Sequence, residues 1–194
     1  MIRLRKPSAP TLRHFLDGQA KLGLTYAAVG ATAASPPAGY VVDHTRVRLG
    51  EGEQVFAAAR AALCRWEHFR LGWVEPWPGD TPIQAGEVVA VLIRSLGVWW
   101  INAARIVYVV DHEGPVTVFG FAYGTLPGHA ESGEERFVVE WDRDRGEVCY
   151  DIVAFSRPRH ILARLGYPLV RRLQRRFGKD SAAAMQRAVG ASVR

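Results

Sequence analysis

The sequence predicts an α+β fold in a single domain: a curved antiparallel sheet of six or seven strands wrapped around a long C-terminal helix. Three observations predict it. The stretch Arg105 to Pro158 holds β-rich runs broken only by short turn signals, among them Glu113-Gly114, Pro127-Gly128, Ser132-Gly133 and Asp144 to Gly146. Connections this short join antiparallel neighbours, because a parallel crossover needs about a dozen residues or more. Next, Arg159 to Phe177 carries Leu162, Leu165, Leu169, Leu173 and Phe177 on one helical stripe. Finally, a bent sheet must cover its inner face, and that helix is the available cover. A helix gripped by a sheet, with a cavity between them, is the expected architecture.

Taken in order, residues 1–23 read as an N-terminal extension with a short helix, and residues 24–190 as the helix-grip domain. Thr11 is the expected N-cap of that helix, and Leu12, Phe15, Leu16 and Ala20 give its apolar stripe. Leu24 to Ala31 reads as a strand, and Ala33 to Gly39, with its Pro-Pro pair, as a loop. Tyr40 to Leu49 alternates from Val42 onward and suits an edge strand. Glu53 to Arg70 reads as a helix, because Val55, Ala59, Ala62, Leu63, Trp66 and Phe69 recur at helical spacing. Leu71 to Pro82 is an aromatic, proline-rich loop. Strands follow at Gly86 to Arg94, Val98 to Val110 (with a bulge near Asn102 to Ala104), Val116 to Thr125, Glu135 to Asp142 and Glu147 to Ser156. Pro158 stops the last one. Gly166 and Pro168 should kink the closing helix near its first turns.

Composition bounds the function. The chain has 194 residues, 48% hydrophobic and 23% charged, which is the profile of an ordinary globular domain with a sizeable core. No apolar run approaches the ~20 residues of a membrane span, and the basic N-terminus lacks the apolar core of a signal peptide. Cys64 and Cys149 have no ligand-spaced partner and read as buried small hydrophobes, which suits a reducing, cytoplasmic setting. The net charge of +6 is concentrated in the C-terminal segment. There Arg171, Arg172, Arg175 and Arg176 form one stripe. Nucleic-acid binding would add aromatic or Gly-rich interleaving, and none is present, so the stripe reads as a solvated face; an anionic membrane or nucleic acid is the alternative.

Several stretches resemble a known family: TYAAVG near Thr25, WEHFRLGW near Trp66, NAARIVYVVD near Asn102, FGFAYGTLPGHAESGEERF from Phe119 to Phe137, and AFSRP from Ala154 to Pro158. On these residues the chain, from about Leu22 to Val189, resembles the domain-of-unknown-function family nineteen-ninety, one of the uncharacterised protein families. More loosely it is similar to the helix-grip superfamily of polyketide cyclases, pollen-allergen-like proteins and lipid-transfer START domains. That wider likeness implies an apolar or amphipathic small molecule held between sheet and helix.

Candidate sites follow from residue chemistry. His129, Glu131, Glu134 and Glu135 fall within seven residues of one loop, Gly124 to Glu135. A His oriented by a carboxylate can move a proton. The alternative is a hairpin loop with solvated glutamates and a His that caps a turn. Trp66, Trp73, Trp99, Tyr108, Phe119, Phe121, Tyr123 and Tyr150 are either core or the walls of an apolar pocket. Asn102 and Arg105 interrupt an apolar strand. Arg105 either pairs with Glu135 or Glu140 or anchors a ligand carboxylate. Ser156 completes the expected lining. No second His stands at metal-binding distance from His129, so no metal is expected there. The signatures GxSxG, GxxxxGK[ST] and GxGxxG are missing, so no cofactor is expected either. Together these readings predict a binder of an apolar or amphipathic small molecule, or an enzyme of the same fold that uses His129 with a nearby Glu.

Overall fold

The computed structural model describes residues 1–193. The strands are β1 (Ile2–Arg3), β2 (Val41–Glu51), β3 (Val74–Trp77), β4 (Val88–Ser95), β5 (Val98–His112), β6 (Val116–Thr125), β7 (Glu131–Asp142) and β8 (Glu147–Pro158). The helices are α1 (Ala9–Gln19), α2 (Glu53–Cys64), α3 (Ile161–Leu165) and α4 (Tyr167–Ser192). Seven strands run antiparallel in the order β2-β8-β7-β6-β5-β4-β3, and β1 pairs with β5 off that path. The meander from β4 to β8 follows chain order, as its short turns require. The alternating strand β2 lies at one edge, paired with β8 alone.

Side-chain parity sorts the two faces of the sheet. Phe119, Phe121 and Tyr123 of β6, Phe137 and Val139 of β7, and Tyr150 and Ile152 of β8 form one cluster with α2 and with Met185 and Val189 of α4. On the outer face, Leu12 and Leu16 of α1 pack on Ala90, Leu92, Ile101 and Ala103.

α4 is built in two halves. Its C-terminal half buries Gly178, Ser181, Ala182, Ala184, Met185 and Val189. Small residues let the helix approach closely: a Cβ on Gly178 would come within 2.6 Å of the Thr45 hydroxyl. The N-terminal half carries leucines and arginines and stands away from the sheet. Much of the expected apolar stripe is therefore not core. Leu165 is 76% exposed and Leu162 48%. At Gly166 the helix breaks into α3 and α4, with Pro168 in the first turn of α4.

Several boundaries depart from the sequence reading. Leu24 to Ala31 is not a strand but a loop that leads into a 3₁₀ turn at Ala31–Ala33. The helix over Glu53 to Arg70 stops at Cys64, because Trp66 takes a left-handed conformation (φ 58) that drives its indole into the core. There Nε1 donates to the Thr81 carbonyl at 2.8 Å. The aromatic loop contains β3, an edge strand whose Pro76 removes one donor from the ladder. The register irregularity of β5 lies between Ile106 and Tyr108, not at Asn102 to Ala104. Helix α1 starts at Ala9 after Ser8, so Thr11 is not its N-cap. Cys64 is exposed at the end of α2 rather than buried, and both thiols are free.

Candidate functional site

The decisive local departure is in β7. The sequence reading began this strand at Glu135, with Glu131 and Glu134 in the preceding loop; the strand begins at Glu131. Strand parity then separates the carboxylates. Glu131 and Glu135 share the inner face, while Glu134 points to the outer one. Gly133 lies at a close approach to β8, where a Cβ would sit 1.9 Å from the Phe155 carbonyl oxygen.

Glu134 is a structural latch. Only 2% exposed, it accepts from Tyr26 Oη at 2.7 Å, from the Gly30 and Thr32 amides at 2.7 and 3.0 Å, and from Thr32 Oγ1 at 2.5 Å. This carboxylate therefore holds the loop that the sequence suggested was a strand. The absent side chain of Gly124 leaves room for the Tyr26 ring, whose hydroxyl would lie 2.2 Å from a Cβ there.

On the inner face, a cavity of about 400 Å³ lies between the sheet, α3 and the first half of α4. That size suits a small-molecule pocket. Val91, Ile93 and Ile152 line it from the sheet, and Leu169, Leu173 and Phe177 from α4. Trp73 lines its wall, with Nε1 donating to Asp180 at 2.8 Å.

Glu131 and Glu135 of β7 and Asp43 of β2 line this apolar space from the sheet's inner face. Glu135 accepts a hydrogen bond from Tyr123 Oη at 2.8 Å. Burial among apolar groups pushes its pKa up to about 8, so it keeps its proton at neutral pH. Burial also raises Glu131, against the opposing hydrogen bond from Gln174. Gln174 Nε2 contacts both Glu131 oxygens at 2.8 Å and Ser156 Oγ at 3.0 Å. Arg171 donates to Gln174 Oε1 at 2.5 Å and grips both Asp43 oxygens at 2.6 Å. A polar chain thus ties the raised half of α4 to β2, β7 and β8. Arg171 is a clamp in this chain rather than part of a solvated stripe, and Arg176 stacks on Trp73 and pairs with Asp180.

His129 lies in the turn before β7. Its Nδ1 accepts from the Glu131 amide at 3.0 Å, so the neutral ring carries its proton on Nε2. Burial lowers its pKa to about 4. The partner at Nδ1 is a backbone group and not a carboxylate, so the expected His–Glu pair does not form. Asn102 is 4% exposed, and its Oδ1 accepts from the Ala130 amide at 3.0 Å.

The structure divides the remaining predicted residues into three groups. Trp73, Asn102, Tyr123 and Ser156 line the cavity, as do His129, Glu131 and Glu135. Trp66, Phe119, Phe121 and Tyr150 belong to the packed core. Trp99, Arg105 and Tyr108 face outward. Arg105 donates to the carbonyls of Ala20 and Leu22, which replaces both the expected carboxylate pairing and the ligand anchor. Trp99 packs with the outer cluster under Lys6. Tyr108 meets the Thr32 hydroxyl at 2.8 Å, because the irregularity after Ile106 reverses its parity relative to Asn102. Sequence reasoning missed Asp43, Arg171 and Gln174. A glutamine beside an otherwise apolar helical stripe was the available signal for Gln174. Among the described residues, no three His, Cys, Asp or Glu side chains gather as a metal ion would need.

A curled antiparallel sheet that holds its C-terminal helix, with a cavity under the first half of that helix, defines a helix-grip protein. More particularly, the chain belongs to the family described as Domain of unknown function (DUF1990), whose model matches residues 25–184. It is 37% identical to a UPF0548 protein of Dictyostelium discoideum, over 99% of this chain and 97% of that one. It is 35% identical to a UPF0548 protein of Deinococcus radiodurans, over 98% and 100% of the two chains. Among solved structures it is similar to Ara h 8.0201, with 11% identity, a TM-score of 0.43, and coverage of 79% of this chain and 99% of that one. It is also similar to human STARD10, with 10% identity, a TM-score of 0.41, and coverage of 91% and 80%. No helix of the described residues is long and apolar enough to cross a membrane.

Proposed function

We propose that this protein binds an apolar or amphipathic small molecule in the cavity between its sheet and α4. The observation that carries this reading is an apolar chamber of about 400 Å³ whose inner carboxyl, Glu135, is held protonated beside Tyr123. An ionised acid would repel apolar contents, whereas a neutral one can donate to a ligand oxygen. Trp73, Asn102, Tyr123 and Ser156 are the proposed contacts. The test is native mass spectrometry of the purified protein with extraction of co-purified small molecules, alongside titration with the apolar fluorophore Nile red. Nile red should bind, and Ala154→Phe, which fills the cavity from β8, should abolish binding without unfolding the protein. Binding unchanged in that variant would overturn the reading.

The state of Glu135 favours a second reading, an enzyme of the same fold. A carboxylic acid with a pKa of about 8 can act as a general acid or base near neutral pH. Glu135 with Tyr123, rather than His129 with a glutamate, would then exchange a proton with a bound carbonyl compound. Deuterium exchange next to the carbonyl of a bound ketone, lost in Glu135→Gln, is the expected signature. Equal exchange in the variant would remove this reading.

A further inference from the structure

A second cavity, of about 440 Å³, adjoins the first and shares Trp100, Asn102, His129 and Ala130 with it. Its character is different. No Asp or Glu lines it, whereas Arg159 and His160 do. Two of the shared residues present unused donors. Asn102 must turn its oxygen to the Ala130 amide, which fixes its N–H₂ as the free end. That amide nitrogen has no protein partner among the described residues, yet it is not sealed off as a buried orphan. His129 likewise commits Nδ1 to the Glu131 amide, which leaves Nε2–H without a protein partner among the described residues. Arg159 is exposed, spends one N–H on the Pro127 carbonyl at 2.7 Å, and has no carboxylate partner among the described residues. The acid nearest His129 in sequence, Glu131, is engaged by Gln174 on the main-cavity side.

We propose that the junction of the two cavities is an oxyanion site: Asn102 Nδ2, His129 Nε2 and the Arg159 guanidinium bind the carboxylate or phosphate of an amphiphile whose apolar chain occupies the main cavity. This deepens the proposed binding function and rests on it. Asn102, His129 and Arg159 line one cavity that holds no acidic residue, donors without an acceptor there match an anion, and charge-assisted hydrogen bonds are about twice as strong as neutral ones. The low pKa of His129 fits the role, because the neutral ring still donates from Nε2 while its Nδ1 stays with the backbone.

The test uses the full chain and displacement of Nile red by decanoate, decyl phosphate and decanol. The expected result is binding of the two anions about ten-fold or more tighter than decanol, with the preference falling as salt rises. Arg159→Gln, a surface change, should reduce anion affinity several-fold and leave decanol unchanged; Asn102→Leu should lower the preference for the anions over decanol. Whichever anion binds tighter identifies the headgroup class. If decanol and the anions compete equally in the wild type, the oxyanion site is refuted while the cavity reading stands. If the anions bind tighter but Arg159→Gln and Asn102→Leu leave that preference intact, the site is misplaced and the proposal fails. If none of the three displaces the dye, the cavity reading itself fails and takes this inference with it.

Discussion

Stability should peak near pH 6.5 and fall on the alkaline side because of Glu135. Three buried groups set this curve. His68, stacked on Trp66 with neither ring nitrogen hydrogen-bonded, is lowered from 6.5 to about 3 by burial. His129 is lowered from 6.5 to about 4. Below pH 6.5 the unfolded chain therefore binds protons that the folded protein refuses, so stability rises with pH up to that point. Glu135 has the opposite sign. Its carboxyl is raised from 4.5 to about 8, so the folded state holds a proton that the unfolded chain has released. Its contribution is complete below pH 4.5, declines as pH rises, and is gone above about 8.

Each such group contributes a slope of about 1.4 kcal/mol per pH unit. Between 4.5 and 6.5 the two histidines outweigh the one acid. Between 6.5 and 8 both histidines are neutral in either state, and Glu135 contributes a loss of about 2 kcal/mol, which the Met1 ammonium, lowered from 8.0 by burial, opposes. Glu131, also raised by burial, adds in the same direction. The discriminating measurement is therefore the difference between wild type and Glu135→Gln. Urea unfolding at pH 6.5, 7.2 and 8.0 should show the wild type losing about 2 kcal/mol more than the variant over that range. Parallel curves, within about 0.5 kcal/mol, would refute the assignment of a neutral Glu135.

Glu134→Gln should cost about 2–4 kcal/mol in urea unfolding, because its new N–H₂ faces two of the four donors that the carboxylate satisfied. The same change at Glu140, whose ion pair with Arg46 is partly exposed, should cost less than about 1 kcal/mol; equal losses would count against the latch. On α4, Met185→Ala should cost about 2–5 kcal/mol, whereas Leu165→Gln should change stability by less than about 0.5 kcal/mol. A large loss at Leu165 would mean that its stripe is core after all. Gln174→Ala should speed amide exchange in the first turns of α4 more than in its last turns, since it cuts the helix from Glu131 and Ser156. Uniform exchange along the helix would show that the polar chain does not hold that half down.

The sheet was legible in the sequence because alternation and turn residues are local signals. The limits of β6 were read to the residue, and the alternation read over Tyr40 to Leu49 is that of β2, whose Val47 and Leu49 pack on the core. What escaped depends on distant partners. Ser132 and Gly133 read as a turn, but Gly133 is a glycine because β8 passes against it. The loop before Thr32 has strand-like composition, yet its amides are claimed by Glu134, about a hundred residues away in sequence. The left-handed turn at Trp66 is stabilised by a carbonyl fifteen residues on. The closing helix was legible as a helix, but not its division of labour. Leucine periodicity marks a face, and only the sheet below determines how much of that face is covered.

The adjacent glutamates of β7 have a consequence for folding. A slide of this strand by a single residue would exchange its two faces. Slid one way, the four-donor cradle would meet Gly133 and an ionised Glu134 would enter the greasy interior; slid the other way, Glu135 would reach the cradle but Arg136 would take its place inside. Either slip forces a charged group among apolar neighbours. Glu134 and Glu135, followed by Arg136, therefore act as an alignment key for this strand.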